Sequence, residues 1–209
     1  MRVDKVFLVF KTHFDIGFTA LAEDVLKLYS GEMLEKVIDT CESTQRFNNK
    51  RYVWTVPAWP LQVMERDCAP EMRQRLRALI ENGQLAWHAL PFTSHYDFCG
   101  LADAIHGLGY AKALSKAHAK PLMRAGKMTD VPGAGWMVPE ILAEAGIRFL
   151  HMGCNQFASP PEVPELFWWE APSGKRVLVM YSDSGYGTGL RPPENWPYPV
   201  WMALMNTQD

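Results

Sequence analysis

The stretch "PEMRQRLRALIENGQLAW", residues 70–87, decides the fold class. Pro70 suits the first turn of a helix, where no N–H donor is needed. Met72, Leu76, Leu79 and Ile80 recur at helical spacing and Gly83 follows them, so the pattern predicts a helix over 70–82 stopped by a glycine. "QLAWHALPF", 84–92, then turns to strand character. A helix that runs at once into a strand is one step of an α/β layering.

The same step repeats on both sides. Upstream, "KVFLVF" (5–10) reads as a strand, Leu21 to Thr40 as one amphipathic helix, and "RYVWTVPAW" (51–59) as a strand ended by Pro57 and Pro60. Downstream, "LADAIHGLGYAKALSKAHAK" (101–120) reads as a helix and "AGKMTDV" (125–131) as a short strand. "WMVPEILAEAG" (136–146) is a helix closed by Gly146, and "IRFLHMG" (147–153) is a fifth strand. "LFWWEAPSGKRVLVMYS" (166–182) divides into two strands at the tight-turn composition "PSGK". Repeated βα steps imply a parallel sheet, either closed into a barrel or doubly wound, and in both the ligands gather at the carboxyl ends of the strands.

Composition narrows the class. With 209 residues and 48% hydrophobic content the chain can bury a sizeable core, as one domain or part of a larger one. There are 21 basic and 23 acidic residues and no basic run, which argues against nucleic acid as a partner. Cys41, Cys68, Cys99 and Cys154 form no C-x-x-C pair, so a zinc ribbon or thioredoxin-like motif is absent and reduced, scattered thiols are expected. The amino terminus lacks the pattern of a signal peptide, and no segment reaches the roughly 20 apolar residues that span a bilayer. These features predict a cytoplasmic protein without a membrane partner. The close, "WMALMNTQD" after the Pro- and Gly-rich 184–199, reads as the end of a fragment. Oligomeric state is not encoded in any of this.

At the expected strand ends stand His13 and Asp15, then Trp54 and Trp59, then His88, His95 and Asp97, then Asp130, then Asn155. In extended backbone, residues i and i+2 share a face, so the His13 imidazole and the Asp15 carboxylate can converge on one divalent cation such as zinc. The plain alternative is a strand end capped by His13 with Asp15 supporting the turn at Gly17. Asp130, in "TDVPGAGW", is either an ordinary turn residue or a carboxylate available as ligand, nucleophile or both. His88 reads as a hydrogen-bonded core histidine or a site residue, and Trp54 and Trp59 as core or as stacking faces for sugar rings. His106, His118 and His151 lack a partner at metal spacing.

Three stretches taken in order resemble glycoside hydrolase family 38, the α-mannosidase family, in its amino-terminal catalytic domain. "THFDIGFT" (12–19) resembles the family's H-x-D-x-G-W, residues 70–87 its helix and G-Q-L strand, and "TDVPGAGWMVPEILAEAGIRFL" (129–150) its D-x-F-G-H-S segment and following helix. The resemblance implies a parallel seven-stranded α/β barrel, incomplete here, with residues 1–209 as its amino-terminal part. It implies zinc or another divalent metal held by His13, Asp15 and Asp130, with Asp130 also the nucleophile of a retaining hydrolase acting on α-mannoside-like carbohydrate. Phe18, Trp54, Trp59, His88 and His95 are the corresponding candidates for contact with substrate. A fourth ligand and the acid/base would lie past Asp209, and the chain alone would be inactive. Phe18 stands in place of the family's usual Trp, Ala134 in place of a His, and "HYD" (95–97) and "MGCN" (152–155) also depart from the pattern, which puts the sugar specificity in question. Two rival expectations are a metal-dependent polysaccharide deacetylase, whose paired aspartates and H-x-x-x-H are missing, and a sugar-binding homologue without turnover.

Overall fold

The structure is a computed structural model describing residues 9–131, 133–153, 155 and 158–182. The expected first strand therefore lies outside the described residues except at Val9 and Phe10, as do Cys154 and the Pro- and Gly-rich 184–199. The chain divides into two compact units, one made of 9–56 and 63–86, the other of 57–62 and 87–182 among the described residues.

In the first unit, β1 (Phe10–Lys11) pairs in parallel with β2 (Trp54–Val56), and β3 (Leu85–Trp87) lies beyond β2. The predicted helix from Leu21 to Thr40 is two helices, α1 (Ala22–Ser30) and α2 (Glu32–Thr44). They part at Gly31, whose backbone leaves the helical region at φ −114, ψ −109 and where a Cβ would lie 3.0 Å from the Lys27 carbonyl oxygen. α1 packs on α2 and α2 on the helix Pro70–Asn82, and the buried Val25, Leu34, Ile38, Cys41, Leu76, Leu79 and Ile80 belong to the core of the unit.

α3 (Ala58–Asp67) differs from the expectation that Pro57 and Pro60 end a strand. Pro60 falls in the first turn of α3, where its missing N–H costs nothing. α4 (Pro70–Asn82) starts and stops as its sequence predicts: Gly83 takes the left-handed φ of +80 that ends a helix without Cβ strain. Gln84, fully buried, then donates its amide N–H groups to the carbonyls of Cys41 (2.6 Å) and Tyr52 (3.1 Å), so the residue launching β3 also ties the end of α2 to the approach to β2.

In the second unit, β4 (Ala125–Thr129), β5 (Phe149–Gly153) and β7 (Arg176–Ser182) are parallel, and β6 (Leu166–Glu170) pairs antiparallel with β7 in the order β4-β5-β7-β6. The "PSGK" turn joins β6 to β7 as predicted, with Gly174 at φ +83. α5 (Leu101–Ala117), a 3-10 turn (Tyr96–Phe98) and α6 (Met137–Glu144) also belong to this unit. Its core joins Leu90, Tyr96, Met128, Val138, Ile141, Leu142, Leu150, Val177 and Val179.

The architecture is thus mixed α/β with parallel sheets, as expected, and among the described residues no sheet closes into a barrel. Strand β6, running against its neighbour, also departs from an all-parallel arrangement. No helix among the described residues is long and apolar enough to cross a membrane.

Candidate metal centre

His13 and Asp15 follow β1 in a segment whose burial alternates. Thr12 and Phe14 are buried, whereas His13 and Asp15 are half-buried, so the two chemical side chains share a side as the i, i+2 argument requires. The buried partners fix the segment. Thr12 Oγ1 accepts the indole N–H of fully buried Trp54 at 2.9 Å. The Phe14 ring meets Tyr29 edge-on at 4.9 Å, and Tyr29 Oη donates to the His13 carbonyl at 2.9 Å.

On the outer side, His13 Nε2 lies 3.2 Å from Asp15 Oδ1. Without a cation this is an imidazole N–H donated to a carboxylate. One nitrogen and one carboxylate oxygen held at that separation form the mixed donor pair that zinc and similar ions accept.

In the second unit, the β4–β5 register runs on past the strand: Thr129 stands opposite Gly153, and the Asp130 N–H donates to the Gly153 carbonyl at 3.1 Å. Asp130 sits at φ +66, in the left-handed region that costs a non-glycine residue roughly 1–2 kcal/mol. Its neighbours Thr129 and Val131 are buried, so the strained residue is pinned from both sides while its own side chain stays half-buried. Asn155 Nδ2 donates to Asp130 Oδ1 at 2.6 Å and sets the plane of the carboxylate. Strain of this kind clusters at functional sites.

The remaining candidates are scattered in environment. Trp54 lies wholly in the interior with no exposed face. Trp59 is half-buried in the first turn of α3 and meets Phe92 edge-on at 5.6 Å. His88 is buried and its Nδ1 accepts the Leu90 N–H at 3.2 Å, which puts the ring proton on Nε2. His95 is exposed and its ring centre lies 6.1 Å from that of Phe98. Phe18 is 87% exposed. The structure thus joins His13 with Asp15, and Asp130 with Asn155. His106 packs edge-on to Tyr110, and His118 lies 5.9 Å from the Trp87 ring. His151 bridges Lys127 Nζ (2.8 Å) and Ser182 Oγ (3.0 Å) across the sheet.

One contributor, Tyr29, carries no signal in the sequence, and a second, Asn155, shows there only as a candidate without a partner. Tyr29 lies on a helix sixteen residues from the carbonyl it holds, with no local signal to that role. Asn155 stood out as polar at a strand end, but only the β4–β5 pairing puts it beside Asp130.

Parallel strands with polar side chains presented at their carboxyl ends define an α/β protein of the kind that handles small ligands there. More particularly, the chain belongs to family 38 of the glycosyl hydrolases: the model "Glycosyl hydrolases family 38 N-terminal domain" matches residues 4–206. Among solved structures, it is similar to an alpha-mannosidase from Enterococcus faecalis V583, with a TM-score of 0.73 and 15% identity over 94% of this chain and 22% of that one. It is similar to a family 38 protein from Enterococcus faecalis, with a TM-score of 0.61 and 13% identity over 82% of this chain and 18% of that one. A 4-alpha-glucanotransferase from Thermococcus litoralis has a TM-score of 0.62 and 15% identity over 94% of this chain and 30% of its own. The chain therefore spans less than a third of each of these proteins. No curated protein sequence matches it.

Proposed function

We propose that residues 1–209 are the amino-terminal part of the catalytic domain of a metal-dependent retaining glycoside hydrolase acting on α-linked, mannoside-like sugars. The observation that carries this reading is the family match over residues 4–206, which takes in His13, Asp15 and Asp130 together. The donor chemistry fits a divalent ion: one imidazole nitrogen, a carboxylate oxygen beside it, and a second carboxylate on a strained strand end. His13, Asp15 and Asp130 would hold zinc or a similar ion, which when bound supplies positive charge to orient sugar hydroxyls. The proposed barrel closure is that of the whole domain.

Asp130 is the nucleophile in this reading. Its carboxylate oxygen bonds to the anomeric carbon as the bond to the leaving oxygen breaks, and a second carboxyl group protonates that oxygen. Water, deprotonated by the same group, then displaces Asp130 with retention. Asn155 keeps the Asp130 carboxylate in one orientation, and the pinned, left-handed backbone keeps it from swinging with the loop. The second carboxyl is not one of the residues named here, so the activity proposed is that of the longer polypeptide. Phe18, Trp59 and His95 offer exposed or half-exposed rings to a sugar, and His88 a directed Nε2 proton.

The test is turnover of aryl α-mannosides by the full-length protein alongside its metal content. Asp130→Ala should abolish turnover, and His13→Ala should lower the metal bound per chain. Full activity in Asp130→Ala would refute the nucleophilic role. Sugar binding without turnover in the wild type would support the non-catalytic homologue instead.

A further inference from the structure

Downstream of Asp130 the chain runs through Gly135 and Trp136 into α6, and this segment is tied to the 3-10 turn at Tyr96–Phe98. The Gly135 N–H donates to Asp97 Oδ1 at 2.8 Å, and a Cβ at Gly135 would overlap that oxygen, so the Asp97 carboxylate lies against the Gly135 backbone as closely as glycine allows. Beneath the tie, Tyr96 and Val138 are buried in the same core. Above it the pattern reverses. Phe98 is 88% exposed and Trp136 is 72% exposed, one aromatic on each of the elements that the tie holds together.

Large exposed aromatics on anchored elements are not explained by packing, and such surfaces mark binding sites. Asp97 adds a polar group between them. It is exposed, Oδ1 serves the backbone, and among the described residues Oδ2 accepts no hydrogen bond. Exposed aromatic faces beside an open carboxylate oxygen are complementary to a pyranose ring, whose C–H face stacks on aromatics while its hydroxyls donate to carboxylate. Trp136 follows Asp130 by six residues in the chain, which favours a ring of the same saccharide over an unrelated ligand.

Building on the hydrolase reading, we propose that Trp136, Phe98 and Asp97 form a second sugar subsite, which takes the ring next to the one attacked by Asp130. Asp97 thus has two tasks, one oxygen shaping the loop and the other binding a hydroxyl.

The experiment uses the full-length protein and two substrates that differ by that ring: an α-linked mannose disaccharide and α-mannosyl fluoride. In Trp136→Ala the ratio of kcat/KM for the disaccharide to that for the fluoride should fall about tenfold, chiefly through KM, as the loss of one aromatic stacking contact predicts. Trp136→Phe should restore most of it. Asp97→Asn, which keeps an acceptor for Gly135 but removes the charge, should lower the same ratio to a smaller extent. A ratio unchanged within about twofold in Trp136→Ala would overturn the subsite, because a merely structural role lowers both substrates together. If the wild type turns over neither substrate, the hydrolase reading alone fails. Calorimetric binding of the disaccharide then decides: loss in Trp136→Ala upholds the subsite and equal binding overturns it.

Discussion

Replacing Thr12 with Val isolates one interaction that holds the His13–Asp15 segment. The two side chains have nearly the same shape, so the change removes a hydroxyl without opening a cavity. Trp54 has no exposed area and its indole N–H has Thr12 Oγ1, at 2.9 Å, as its acceptor. After the substitution that donor is buried without a partner, at a cost of about 1–3 kcal/mol. A value of about 2 kcal/mol, with a urea slope of about 1–3 kcal/mol per molar, moves the unfolding midpoint down by about 1 M. The measurement is urea unfolding followed by far-UV circular dichroism, which does not depend on Trp54 fluorescence. A second background sharpens it. In Trp54→Phe there is no donor to orphan, so Thr12→Val should cost about 1–2 kcal/mol less there than in the wild type. Equal costs in both backgrounds, at unchanged slope, would refute the claim that this hydrogen bond fixes the segment.

Two further outcomes are expected. Gly126→Ala should destabilise the chain by about 1–3 kcal/mol in thermal or urea unfolding, since overpacking a filled core forces its neighbours to move; the new Cβ would lie 3.0 Å from Leu90 Cγ and 3.3 Å from Leu150 Cδ1. The turn between β6 and β7 is bound to α6 by Glu140, which accepts from Lys175 Nζ at 2.7 Å and from the Ser173 hydroxyl. These bonds, Lys175 first, hold the Glu140 carboxyl below its ordinary value of 4.5. A lowered carboxylate contributes stability that is present above its unfolded value and lost as pH falls through the folded one. Lys175→Met should therefore flatten the fall in melting temperature between about pH 5 and 3, and a fall as steep as in the wild type would exclude the linkage.

How much of this was legible depends on the range over which each cause acts. Helix α4 is legible in the sequence because Pro70, the apolar stripe and Gly83 are all local signals, and Gly83 takes the left-handed conformation that its position implies. The "PSGK" hairpin was legible for the same reason. Gly31 misled because a glycine within an amphipathic pattern is compatible with a continuous helix, and only the observed backbone turn shows that it is not one. The prolines around Trp59 misled in the opposite sense: they end a strand, but Pro60 is also tolerated in the first turn of α3, and local sequence does not choose between the two. At the candidate site, the shared side of His13 and Asp15 followed from period-two geometry alone. The Asn155–Asp130 bond and the Asp97–Gly135 tie join residues 25 and 38 positions apart, and no local pattern carries them.

The two strand ends nonetheless share one device. His13 lies between buried Thr12 and Phe14, and Asp130 between buried Thr129 and Val131. In each case the chemistry-bearing side chain is placed by neighbours committed to a core. At Asp130 this matters energetically, because a backbone strained by roughly 1–2 kcal/mol at φ +66 relaxes unless its surroundings over-determine it. The Asp130 N–H bond to Gly153 and the burial of both neighbours supply that constraint within the sheet itself. The placement of the Asp130 backbone therefore rests on the sheet and its buried neighbours, apart from the Asp97–Gly135 bond further along the chain.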